Sequence, residues 1–598
     1  MDSPKNTYVE IVDRDFNDLT NPPKTSFTIN RYSKTISGGC KEAHLTAYGD
    51  QSELWAIANM LRYGLYIYNQ RGDPLWWGYI AEVKIRIGNL VFGVSLDTMS
   101  NRIAVVYTSF GTRETTAFAE DDYSIGTYGT KELLSVVSDA TREEALQRRD
   151  SDLEAKKLPI PTVEFEAQSE GSFSANIICR GFYDTLEWKY YSQEKGLVEH
   201  SSNGVGQQNL GVILSSACLT FDSGTDKIND WAEGLNGFKK GSIISITGTS
   251  SNNGKKVVSQ GSTAGCSITV EGGVSDETAA SATIVSASQI AQRFSQSSGS
   301  DWDASSIHVR VQPSGSPSDD LVVSLYSAGI IDPASPSPLS ELITGSYAGS
   351  DMVESMVWTE IPLSASVTIE NSLNYYVSLY RSGTPSTASA YYKIDMDEGL
   401  GYGDGEFIIK TSNGWIPRST DADMLFKVVG TQPVVDQIKE IGNTSGQFFE
   451  NSLSDVVSAC APETIQYRDG ETTALVEINK LLKVGSKSNL RLLAEVTSHR
   501  TLLITEQPDK NNIDNQYKMA LDGTITSSKG KAVPNTECPV GIWVEIDQFV
   551  PATFDQSYLA NPGKFFIEEC EYYVQSDRIV PRSLDTSNVW ELGKIKDG

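Results

Sequence analysis

The stretch Asp395-Met396-Asp397-Glu398-Gly399, continuing through Gly403-Asp404-Gly405-Glu406, gathers carboxylates among glycines. Hard oxygen ligands on a glycine-rich loop are what Ca²⁺ takes, so Asp395, Asp397, Glu398 and Asp404 are the candidate metal ligands and Ca²⁺ the one candidate cofactor. The pattern departs from an EF-hand loop in the place of its glycine and in lacking the terminal bidentate glutamate. A solvated acidic loop is the plainer reading of the same residues. Two of these carboxylates acting as acid and base of a glycosidase would need a fixed separation across a sugar, which distance along the chain does not set.

The same region is rich in aromatic residues: Trp302, Trp358, Tyr375, Tyr391, Tyr392, Tyr402 and Trp415. Strand aromatics usually face the interior, and the remainder can stack on sugar rings. Trp302, Trp358, Tyr402 and Trp415 are the candidate carbohydrate-binding residues, with Tyr402 and Trp415 in loop-like surroundings. Catalytic chemistry finds little support. His44, His200, His308 and His499 stand apart from one another, and there is no H-E-x-x-H, G-x-S-x-G, Walker loop or strand-borne G-x-G-x-x-G. No catalytic residue is assigned, and the chain is expected not to be an enzyme. Cys40, Cys179, Cys218, Cys266, Cys460, Cys538 and Cys570 form no C-x-x-C pair, so they read as small buried apolar residues of a protein made in a reducing cytosol.

The charge narrows the partners. With 49 Lys and Arg against 77 Asp and Glu, the net charge of -28 repels a phosphate backbone, so stable nucleic-acid binding is not expected. It also opposes an anionic membrane, and no apolar run approaches the roughly 18 residues of a spanning helix. Met1 to Glu10 lacks the pattern of a signal peptide.

The elements that must position these residues suggest several domains in 598 residues. Leu54, Ile57, Ala58 and Leu61 share one helical face, stopped at Gly64. A β-meander follows: Leu65–Tyr68, Leu75–Val83, Ile85–Ile87 and Leu90–Leu96. Thr141 and Glu144 have the spacing of a capping box for a helix running to Lys157. From Ser201 the texture turns to serine, glycine and short β-branched runs, and it turns back near Pro433, so that block reads as inserted. Helices are expected again over Pro433–Ile441 and Thr472–Leu482, with strands at Arg491–Val496 and Thr501–Thr505. The fold class is mainly β with a few helices: an α+β body carrying an inserted all-β module and a jelly-roll-type β-sandwich.

Several strings, in order, resemble the tail-tip or baseplate hub proteins of long-tailed bacteriophages. They are Gly38-Gly39-Cys40, Gly72 to Ile80, Val94 to Ile103, Tyr128 to Glu132, Pro161-Thr162-Val163, Cys179 to Tyr191, Tyr467 to Leu475, Gly485 to Val496, and Cys538-Pro539-Val540-Gly541. Phe238 to Gly248 looks like a small β-module of phage tail proteins, and Ile290 to Phe294 with Gly315 to Leu321 looks like a carbohydrate-binding-type sandwich. The resemblance implies an N-terminal hub β-barrel domain at 1–130, a second hub segment at 131–205, the module at 206–288, the sandwich at 289–430 and a closing hub segment at 431–598. It also implies a homotrimer whose paired barrels meet the hexameric tail tube or distal tail ring above and a threefold central fibre below. Such a hub belongs to the virion, is made in the bacterial cytoplasm, and forms part of the DNA ejection channel. The inserted domains would project outward to contact host-surface glycans or neighbouring tip proteins. A receptor-binding tail fibre or adhesin, and a polysaccharide-degrading tail enzyme, are the competing readings.

Overall fold

The computed structural model describes residues 7–109, 112–165, 173–193, 195–201, 206–240, 242–262, 264–279, 281–296, 299–328, 338–383, 390–398, 405–411, 414–417, 422–449, 463–486, 490–509, 516–520, 522–546 and 564–585. The fold is mainly β with a few helices, and the chain forms two compact units. One comprises Met1–Ser192, Pro433–Thr464 and Asp469–Gly598; the other comprises Gln193–Gln432 with Ile465–Arg468.

The first unit is built from both ends of the chain. In its largest sheet the strands run in the order Tyr8–Val12, Gly64–Tyr68, Pro74–Ile87, Ser174–Arg180, Ser37–Tyr48, Ser26–Thr35, Lys564–Tyr573, Trp543–Ile546, Gln516–Met519 and Ile525–Ser527. Ser26–Thr35 and Lys564–Tyr573 pair antiparallel, with Arg31 opposite Tyr573 and Thr35 opposite Glu569. Arg31 and Glu571 form an ion pair across this seam, and Lys41 reaches Glu569 at 2.9 Å. The hydrophobic core spans the same divide: Leu45, Ile57, Trp76 and Ile177 pack in one cluster with Ile438, Leu481, Ile504 and Ile567.

Phe448 is the tightest knot of that core. It is 3% exposed, and its ring lies 5.7 Å from Tyr79, 5.8 Å from Trp188, 5.9 Å from Phe16 and 6.1 Å from Phe182, mostly edge-on. The Arg62 guanidinium sits 4.8 Å from its centre. A residue beyond the insertion therefore fills a cage lined by residues that precede it. Close packing also requires Gly38, which has φ +122° and where a Cβ would meet the Tyr183 ring at 2.6 Å.

Local elements largely follow the sequence pattern. The capping box at Thr141 and Glu144 is formed and starts the helix Arg142–Lys156. The helices Gln51–Ala58, Val434–Ser445 and Ala474–Val484 occupy the expected stretches, shifted by a turn or less. The meander differs in one respect, since the runs Leu75–Val83 and Ile85–Ile87 are one continuous strand, Pro74–Ile87. That strand is long enough to pair with Gly64–Tyr68 over its first half and Leu90–Ser95 over its second. Arg102–Ser109, Thr112–Thr115, Ala119–Glu120 and Glu132–Val137 make a separate small sheet, with Glu132–Val137 running parallel to Arg102–Ser109.

The second unit holds two β assemblies. In one, Ile213–Ser216, Ala282–Val285, Ile243–Thr247, Gly254–Gln260, Ser267–Val270, Lys227–Asp230, Leu219–Asp222 and Glu277–Thr278 follow one another around a core of Phe221, Phe238, Ile246 and Ile268. In the other, sandwich-like sheets enclose Phe294, Ile307, Val309, Leu325, Val377 and Phe426. Trp302–Ser314 pairs with Phe426–Pro433 and with the long strand Val357–Ile369. The unit begins and ends side by side. Leu197–His200 pairs antiparallel with Phe426–Pro433, Leu197 facing Val429, and the Gly430 N–H donates to the Gly196 carbonyl at 2.7 Å. The strand Leu197–His200 thus belongs to the inserted unit, so the expected boundary after 205 moves back to 192.

Phe448→Ala leaves the aromatic cage empty in a core both chain ends share, and it is expected to cost about 3–5 kcal/mol. In chemical denaturation the transition of the first unit should shift while that of the second stays in place; an unchanged first transition would refute the shared core.

Candidate functional site

The candidate site residues all fall in the inserted unit. Asp395 and Asp397 lie on the strand Tyr391–Glu398, not on a loop, because Ile394 and Met396 alternate with them and bury themselves in the sandwich core. This alternation turns both carboxylates to the opposite face, where they are still largely covered, at 7% and 3% exposure. Each is answered by a basic side chain. Asp395 lies 3.1 Å from Arg310, and Asp397 lies 3.4 Å from the His200 imidazole. Burial raises the Asp395 carboxyl above its ordinary range, against the lowering charge of Arg310. Asp423 stands directly opposite Asp397 and accepts a hydrogen bond from Gln292 at 2.7 Å. Among the described residues no group of three or more His, Cys, Asp or Glu side chains converges to hold a metal ion. Asp395 is thus paired with Arg310, and Asp397 lies beside His200. The side chain of Glu398, and all of Tyr402 and Asp404, lie outside the described residues.

The aromatic candidates separate in the same way. Trp302 is 4% exposed and belongs to the sandwich core, so it offers no face to a ligand. Trp358 is half-buried, opposite Arg310, with the Lys427 ammonium 5.0 Å from its ring centre. Trp415 is on the strand Gly414–Pro417, not a loop, and it is half-buried with Lys410 5.6 Å from its ring. The structure therefore brings Trp358 and Asp395 together around Arg310, a residue with no signal in the sequence beyond its place on a β-run.

Around them the sheet carries a cross-strand row of ionisable residues. Glu199 faces Lys427, Lys427 faces His308, and His308 faces Glu360, with a 2.7 Å ion pair between Lys427 and Glu199. Ser306, His308 and Glu360 have the residue types of a hydrolytic triad but not its geometry. Both Ser306, at 3.4 Å, and Glu360, at 3.9 Å, approach the same imidazole nitrogen, Nε2. A relay needs the acid on the other nitrogen. Burial lowers the His308 pKa, with Glu360 opposing and Lys427 assisting.

A buried polar lock of the unit has no signal in the sequence. Arg381 and Asp319 form a two-pronged pair at 2.8 and 2.6 Å, and Arg381 also donates to the carbonyls of Ala390 at 2.6 Å and Gly211 at 3.2 Å. Their side chains are 6% and 14% exposed. Cys218 and Cys266 are exposed, contrary to the expectation that the cysteines are buried; Cys40, Cys179, Cys538 and Cys570 are buried. Cys460 lies outside the described residues.

No protein-family model matches the chain, and no curated protein sequence matches it. Among solved structures it aligns with the insecticidal crystal protein Cry7Ca1 of Bacillus thuringiensis at 8% identity and a TM-score of 0.11, over 63% of this chain and 52% of that one. The mosquito-larvicidal Cry4Aa toxin of Bacillus thuringiensis gives 8% identity and a TM-score of 0.14, over 66% and 57%. A structure of infectious bursal disease virus, Gt strain, gives 9% and 0.10, over 69% and 81%. The chain spans little more than half the length of the two toxins it aligns with. These scores lie far below that of a shared fold.

The Asp319 carboxyl is pushed up by burial and pulled down further by the hydrogen bond and charge of Arg381, so it sits below its ordinary value. A depressed carboxyl stabilises the fold above its unfolded pKa and loses that contribution as pH falls through the folded one. The melting temperature of the inserted unit should therefore drop below about pH 4. Asp319→Asn should lose about 3 kcal/mol at neutral pH, by leaving Arg381 buried and unpaired, and show a shallower acid limb. An identical acid limb in both proteins would remove Asp319 from the account.

Proposed function

We propose that the chain is a structural hub of a bacteriophage tail tip, acting by geometry and not by bond-making. The observation that carries this reading is the seam between Ser26–Thr35 and Lys564–Tyr573, with the core beneath it. One body made by both chain ends, interrupted by a β block, is the arrangement implied by the order of the hub-like strings in the sequence. In this reading three copies form a ring between the hexameric tail tube and a threefold central fibre, around the path of the ejected DNA. The inserted unit supplies surface for contact with host glycans or neighbouring tip proteins. The acidic balance of the chain supports passage of DNA without adhesion. Among the described residues no helix is long and apolar enough to cross a membrane.

The test is position, stoichiometry and activity together. Electron microscopy of particles labelled on this protein should place it on the tail axis, and native mass measurement should give three copies. Incubation with host polysaccharide should release no sugar fragments. A peripheral position would favour a receptor-binding fibre, and released fragments would favour a degrading enzyme; either result overturns the hub.

A further inference from the structure

Trp231 is 81% exposed, whereas every other described tryptophan is buried or half-buried. Its turn is firmly built. Asp230, 1% exposed, directs its carboxylate inward, where it accepts from Ser216 Oγ at 2.9 Å and from the N–H groups of Ala232 at 3.2 Å and Gly234 at 2.8 Å. The Asp230 N–H donates to the Cys266 carbonyl at 2.8 Å and the Leu235 N–H to that of Gly265 at 2.9 Å, joining the turn to the neighbouring loop. Glu233 holds a left-handed backbone, φ +59°, and Leu235 and Phe238 anchor the far side in the core. A large apolar ring is therefore held out in water by a scaffold that leaves its backbone little freedom.

The surroundings select the occupant. A protein interface needs roughly 1,000 Å² of buried surface around an apolar centre. Across residues 206–288 Trp231 is the one exposed large apolar side chain among the described residues, and the rest of its turn presents Ala232, Glu233 and Asn236. An anionic lipid surface is opposed by Glu233 and by a chain charge of -28. A pyranose fits better, because it has one apolar face of about the area of an indole and a rim of hydroxyls. Glu233 and Asn236, both exposed in the same turn, supply an acceptor and a donor for that rim.

We propose that Trp231 is a stacking platform for a pyranose unit of a surface glycan, with Glu233 and Asn236 contacting its hydroxyls. The site rests on the reading of the inserted unit as a contact surface, and it lies in the small β assembly and not among the sandwich aromatics. Its failure would leave the tail-tip position, which particle imaging decides, untouched.

The full chain is applied to an array of pyranose oligosaccharides covering hexoses, N-acetylhexosamines and uronic acids, beside Trp231→Ala, Trp231→Phe and Tyr123→Ala, the last an exposed aromatic of the first unit. The parent chain should retain at least one glycan, Trp231→Ala should lose about tenfold in affinity for it, and Trp231→Phe should keep most of the binding. Tyr123→Ala should bind as the parent does, and the melting temperature of Trp231→Ala should be unchanged because the ring is exposed. The proposal is overturned if the parent retains no glycan, or if Trp231→Ala binds as well as the parent.

Discussion

Ser26–Thr35 can form a ladder with Lys564–Tyr573 only if more than five hundred residues of intervening chain bring them together. The cost of closing such a loop rises only as the logarithm of its length, so distance along the chain is not the obstacle. The obstacle is that neither end buries its apolar face alone. Trp76, Ile57 and Leu45 need Ile438, Leu481 and Ile567 as neighbours, and the cage of Phe16, Tyr79, Phe182 and Trp188 needs Phe448 as its filling. The seam and the cage are thus one constraint: the body exists when both ends are present.

The inserted unit meets this constraint by returning the chain to where it left. Leu197 faces Val429 across an antiparallel ladder, and paired residues of this kind lie about 5 Å apart at Cα. Leu197–His200 begins just after the boundary at Ser192, and Phe426–Pro433 itself reaches the boundary at Pro433. A block whose ends are hydrogen-bonded to each other keeps the exit and return of the chain close together, which is the condition under which domain insertion is tolerated. Several of its charges are paired internally. The Arg381–Asp319, Arg310–Asp395 and His200–Asp397 pairs fix strands to one another. A buried pair of this kind adds little net stability, but loss of one partner is costly.

How much of this was legible in the sequence depended on the range of the interaction that decides each residue. The capping box at Thr141 and Glu144 is a local pattern, and it was readable. The change of texture between Ser201 and Pro433 marks the insertion, yet Leu197–His200 belongs to it while preceding that change, because a four-residue strand takes its allegiance from a partner more than two hundred residues away. Asp395 and Asp397 looked like a loop because glycines follow them, although Ile394 and Met396 already alternated with them as a strand does. Their partners, Arg310 and His200, come from other strands, so no spacing could announce them. Trp302 and Trp231 show the same limit in reverse. Both sit beside aspartates near turns, and only the three-dimensional packing sends one ring into the core and leaves the other in solvent.

A single exposed ring sets an upper limit on what such a surface achieves alone. Aromatic contacts contribute about 1 kcal/mol beyond the area they cover, which leaves one sugar held weakly and released quickly. Linked copies change the outcome without a new contact, since a second engagement becomes intramolecular and total avidity rises on the order of 10²–10⁴. A contact built as one stiffly held Trp231 per chain is therefore of use chiefly where several chains are fixed relative to one another. Weak, repeated and reversible contact is also what allows a particle to sample a surface before committing to it. In this way the two proposals, a ring of subunits and a one-residue sugar platform on each, support each other while resting on different observations: a shared core in one unit and a hydrogen-bonded turn in the other.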